Sequence, residues 1–80
     1  MQLPDRVDWR WIDSLGAAQL IEAEGQLHAR FAAEEAAEKE RHGERYNMLR
    51  GPDSLVSAGL SWSLASNAAR ARGIVIGRRR

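Results

Sequence analysis

The chain has no cysteine, so it has neither a disulfide staple nor a thiolate zinc site. It is short of bulky apolar matter too. Hydrophobic residues make up 44 % of the chain, but 13 of the 35 are alanine, which favours helix and adds little area to a core. Aromatics amount to 6 %, and lysine is limited to Lys39 beside eleven arginines. A chain of 80 residues buries only about 60–65 % of the surface its unfolded form exposes, so one small domain with a marginal core is the most it can form. Small unstapled chains complete their cores on neighbours, which leads us to expect assembly.

Long hydrophobic runs are absent as well. Residues 54–69 carry no formal charge, but the run is shorter than the ~20 apolar residues a membrane span needs, and it is interrupted by serines and Asn67. The start, Met1-Gln2-Leu3-Pro4-Asp5, lacks the basic opening and apolar centre of a secretory signal. The expectation is a protein that is not secreted and acts in the cytoplasm or inside a macromolecular particle, without a membrane partner.

What is present is divided by charge. The net value of +1 hides ten acids and five bases in residues 1–44, against Asp53 and seven arginines in residues 45–80. Halves of opposite sign can fold together, attract copies, or meet different partners.

Three pieces follow along the chain. In Leu3–Ile12, Val7, Trp9 and Trp11 alternate as in a strand, whereas Val7, Trp11 and Leu15 share the i, i+4 spacing of a helix. We favour a helical turn, with Asp5 capping a helix that begins at Arg6. The second piece is a long helix from Asp13 to Arg50, capped by Asp13 or Ser14. Ala17, Leu20, Ile21, Glu24, Leu27, His28 and Phe31 form its apolar stripe. Beyond Phe31 it turns polar, held by Glu35–Lys39 and Glu38–Arg41 at a few tenths of a kcal/mol each. Gly43 is the expected fray or kink. The stripe holds for under three heptads, too short for a sustained coiled coil.

Arg50-Gly51-Pro52-Asp53 is the clearest break, and a return helix follows from Asp53 to Arg72. On it Leu55, Gly59, Trp62, Ser66 and Ala69 line one face, and Val56, Leu60, Leu64 and Ala68 an adjacent one. The fold expected is all-α: a helical hairpin with one long, partly projecting helix, a short N-terminal helical segment, and an irregular basic tail over 73–80. Leu20, Ile21, Leu27, Phe31, Leu55, Leu60, Trp62 and Leu64 should supply most of the buried contact. Ile74-Val75-Ile76 is a candidate edge strand, an apolar hook on the hairpin, or a disordered tail.

Catalytic chemistry finds little support. Gly59-Leu60-Ser61-Trp62-Ser63 lacks the second glycine of a nucleophile elbow, and no glycine-rich phosphate loop exists. Glu24/His28 and Glu38/His42 have metal-ligand character, but they lie about 21 Å apart along a helix and cannot share an ion within it. A solvated helical contact accounts for each pair. No metal, cofactor or enzymatic activity is therefore expected.

The functional expectation is a non-catalytic structural or adaptor subunit that packs by helix–helix contacts against other subunits or copies of itself, as in a viral particle. Trp9, Trp11, Glu34, Glu38, Arg41, Arg45 and Tyr46 are the candidate partner-binding residues. The alternative is a small nucleic-acid-binding or regulatory protein, with Arg70, Arg72, Arg78, Arg79 and Arg80 neutralising phosphates or meeting an acidic surface. An inhibitory helix that occludes another protein's site would present the same sequence features as an adaptor.

Overall fold

The computed structural model describes residues 2–43 and 53–76, and they form an all-α fold of three helices: α1 (Trp9–Asp13), α2 (Ala17–His42) and α3 (Asp53–Ala71). No strand occurs among the described residues. The hairpin expected from sequence is present, with α3 folded back along α2.

The N-terminal segment is helical, but it starts later than Arg6 and its cap is Asp8 instead of Asp5. Asp8 sits in an extended conformation and its Oδ1 accepts from the Trp11 backbone N–H at 2.9 Å, which satisfies one of the orphan donors of the first turn. Asp13 closes α1 instead of capping the long helix. Ser14 ends the turn: its backbone N–H reaches Arg10 and Trp11, and its Oγ donates to the Trp11 carbonyl at 2.6 Å. The chain then turns at Leu15 and Gly16, and α2 begins four residues after the expected Asp13. Its N-cap is Gly16, whose N–H donates to Gln19 Oε1 at 3.0 Å.

At the other end α2 stops at His42, short of the expected Arg50. Gly43 adopts φ 55°, a left-handed region that glycine enters without a Cβ penalty, and donates back to the Lys39 carbonyl. The expected continuation from Glu44 to Arg50 lies outside the described residues. Asp53 is the first residue of α3 and places a carboxylate at its positive end.

α3 ends in a Schellman motif. Gly73, at φ 74°, donates to Arg70 O at 3.0 Å, and Ile74 N–H donates to Ala69 O at 2.9 Å. The hydrophobic contact that accompanies such a motif is made by Ile74, which packs with Ile76 on the main core, while Val75 between them faces out. Of the readings open for Ile74–Ile76, the structure shows the apolar hook.

One buried cluster joins Ile12, Leu15, Leu20, Ala23, Leu27, Ala65 and Ala69, with Leu3, Val7, Trp11, Leu64 and the hook against it. A second joins Phe31, Leu55 and Ala58, and Trp62 touches both. The logic is size complementarity: Leu20 and Leu27 of α2 share one buried cluster with Ala65 and Ala69 of α3, whose small side chains leave room for them. Ser54 Oγ lies 3.4 Å from Glu34 Oε2, so about two turns of α2 beyond Glu34 extend past the first described turn of α3.

Two sequence expectations about the core are corrected. Ile21 and Leu60 are exposed, and their places are taken by Ile12, Leu15, Ala23, Ala58 and Ala65. Four of the expected residues, Leu20, Leu27, Phe31 and Leu55, are buried, and Trp62 and Leu64 are half-buried.

Candidate interaction surface

The rotation of α3 about its own axis decides what the protein presents. Leu55, Ala58, Gly59, Ala65 and Ala69 are buried, so the face turned inward is the one with the smaller side chains. The opposite face carries Val56, Leu60 and Leu64 at i, i+4, i+8 spacing, with Leu60 68 % exposed at mid-helix. A single exposed leucine is unremarkable on any protein surface. Val56 and Leu64 are half-buried, Leu64 against the main core, so Leu60 is the exposed centre of a short aliphatic stripe.

Beside the stripe runs an open groove of about 530 Å³, bounded among the described residues by Asp5–Val7 of the N-terminal segment, Arg30 of α2 and residues 53–64 of α3. Val7, Val56, Leu60 and Leu64 make its apolar wall, and Asp5, Arg6, Arg30 and Asp53 bring two carboxylates and two guanidinium groups to it. Its described lining contains no histidine or cysteine. This chemistry suits an amphipathic segment laid along it: apolar contact in the middle and charges of both signs at the edges.

On the other flank of the α2–α3 seam lies a polar knot. Glu24 is 1 % exposed, and its Oε1 accepts from the Trp62 indole N–H at 2.7 Å. His28 meets the same indole edge-on, with ring centroids 4.8 Å apart, and Phe31 stacks on it at 5.3 Å. Sequence spacing pairs Glu24 with His28; in the fold Trp62 stands at the centre of both, a partner thirty-eight residues away that no local pattern reveals. The second pair is a helical contact: Glu38, 3 % exposed, lies 3.1 Å from His42 Nε2 and 3.3 Å from Arg41 Nη1. Lys39 Nζ lies 3.4 Å from Glu35, as its spacing implied. Among the described residues no group of three or more histidines, aspartates or glutamates is placed to hold a metal ion.

The remaining candidates are scattered. Trp9 is exposed on α1 with the Arg10 guanidinium 5.6 Å above its ring, whereas Trp11 is half-buried against the main core. Glu34 is half-buried beside Ser54, and Arg41 is exposed. Arg70 is exposed in the last turn of α3. Arg72 is engaged within the fold: its Nη1 donates to the Leu15 carbonyl at 2.6 Å and its Nη2 to the Ile12 carbonyl at 3.1 Å. The guanidinium thereby caps the carbonyl end of α1 and ties the end of α3 to the α1–α2 turn. Arg45, Tyr46, Arg78, Arg79 and Arg80 lie outside the described residues.

Sequence reasoning noticed the Val56–Leu60–Leu64 face and assigned Leu60 and Leu64 to the core; Leu64 does pack against it, half-buried, whereas Leu60 is exposed. None of the described helices is long and apolar enough to cross a membrane. No protein-family model, curated protein or solved structure matches the chain.

Proposed function

We propose that this chain is a non-catalytic assembly or adaptor subunit that joins a larger protein complex through helix–helix contact, with the outer face of α3 as its docking surface. The observation that carries this reading is Leu60, 68 % exposed at the middle of α3 on the face away from the buried Ala58, Gly59, Ala65 and Ala69. Burying an exposed leucine is worth about 1.5–3 kcal/mol. A fold with so little bulky apolar material leaves that energy unused unless a partner collects it. The groove's apolar wall and mixed charges support a protein partner over a phosphate backbone. Arg72, one of the arginines of the nucleic-acid alternative, is already committed to carbonyl groups of the chain itself.

The test is a comparison of wild type with Leu60→Asp, each tagged and captured from the native host. Because Leu60 is 68 % exposed, the substitution should leave the melting behaviour of the isolated chain within about 0.5 kcal/mol of wild type. Loss of the co-purifying subunits from the variant supports the assignment. An unchanged set of subunits on a folded Leu60→Asp protein refutes it.

A further inference from the structure

Resting on the reading of α3's outer face as a docking surface, we infer that its occupant is a second copy of this chain, packed antiparallel about a two-fold axis through Leu60. A two-fold interface must be self-complementary, since each patch meets its own copy. The stripe meets that condition by position. With Leu60 on the axis, residues equally far to either side face each other, so Val56 meets Leu64 of the copy, four positions away in each direction. Leu60 then packs on Leu60 of the copy, flanked by the accessible parts of the half-buried Val56 and Leu64.

Charge selects the orientation. Between Asp53 and Ala71 the only ionisable residues are Asp53, in the first turn, and Arg70, in the last. They stand about 26 Å apart along the helix at 1.5 Å per residue. Antiparallel pairing about Leu60 sets Asp53 opposite Asn67 of the copy, with that copy's Arg70 one turn further on and within reach of a long side chain; the symmetric contact forms at the other end. Parallel pairing would set like charge against like and align the two helix dipoles unfavourably. The net charge of the whole chain is +1, so no large overall repulsion opposes association of copies.

Since the chain has no cysteine, it can be probed with single thiols. Sedimentation equilibrium of wild type should show a monomer–dimer equilibrium, and Leu60→Asp should raise its dissociation constant roughly 10–100-fold, the scale for breaking a central apolar anchor with a charge. Under mild copper–phenanthroline oxidation, Leu60→Cys should give a covalent dimer, because the axis brings its two Cα atoms within the ~4.4–6.8 Å that a disulfide needs. Val56→Cys and Leu64→Cys should each remain monomeric alone, their symmetry mates lying about 12 Å apart along the helix, yet cross-link when mixed. Far-UV circular dichroism confirms that each variant is folded. A wild type that stays monomeric at every concentration overturns the second-copy inference, as does a dimer in which Val56→Cys cross-links to itself. The docking-face reading is judged separately: if Leu60→Asp still strips subunits captured from the host while the chain is monomeric, only the identity of the occupant fails.

Discussion

The sharpest test of the packing lies at Glu24. Its carboxylate is 1 % exposed and accepts a 2.7 Å hydrogen bond from the Trp62 indole, a side chain that also stacks on Phe31 and bridges the two apolar clusters. A buried hydrogen bond is worth about 0.5–1.5 kcal/mol between neutral groups and about 1.5–3 kcal/mol when one partner is charged, and removing one member leaves the other's polar atom short of a partner. Glu24→Ala also deletes one methylene, along with the carboxyl group, from a closed site. Together these put the expected loss at about 2–4 kcal/mol. A domain of this length has a total stability of about 4–12 kcal/mol, so the loss is a large share of the whole. Glu24→Gln keeps the shape and a neutral acceptor and should lose about 1 kcal/mol. Trp62→Phe removes the donor while keeping a ring. Urea unfolding followed by circular dichroism, on both single variants and the Glu24→Ala/Trp62→Phe double variant, isolates the pair. The expected coupling is about 1–2 kcal/mol, since the second substitution no longer breaks a bond that the first has removed. Coupling under about 0.3 kcal/mol, or a Glu24→Ala protein as stable as wild type, would show that the indole and carboxylate do not pair in solution.

Arg72→Ala should cost about 1.5–3 kcal/mol by releasing the Leu15 and Ile12 carbonyls, and Arg72→Lys should recover only part of it because an ammonium cannot fork across both; chemical denaturation gives the values. Two glycine-to-alanine changes should move stability in opposite directions. At Gly25 a Cβ meets nothing within 4 Å inside a regular helix, so alanine should stabilise by about 0.4–1 kcal/mol. At Gly73 the space is equally open but φ is 74°, so alanine should destabilise by about 1–2 kcal/mol. Thermal melts of the two variants against wild type decide both, and a shift of the same sign in each would contradict the conformational argument.

Much of the hairpin was legible because its signals are local. Asp53 marked the start of α3, the Leu20–Leu27–Phe31 stripe marked α2's inner face, and Glu35–Lys39 and Glu38–Arg41 marked its polar half. The helix ends were harder. Asp13 and Ser14 are good caps by residue type, but they close α1, and the weaker Gly16 starts α2; the end of α1 and the start of α2 competed for the same residues, and burial of Ile12 and Leu15 decided between them. Gly73 looked like the edge of an irregular tail. Its role as a helix terminator depends on Ile74 finding the core, which no spacing encodes.

The docking face was half visible. Helical periodicity sorted α3 into two adjacent stripes, and that much followed from residue order alone: 3.6 residues per turn fixes which side chains share a direction. It does not fix which direction is inward. Bulk argued for burying Leu60, whereas the tertiary structure buried Ala58, Gly59, Ala65 and Ala69, because Leu20 and Leu27 already fill the seam and only small neighbours admit them. Sequence order thus determined the existence of the helices and their stripes. Three-dimensional packing alone decided that Trp62 meets Glu24, that Arg72 holds the α1–α2 turn, and that Leu60 is left facing outward, since each depends on residues far apart in the chain.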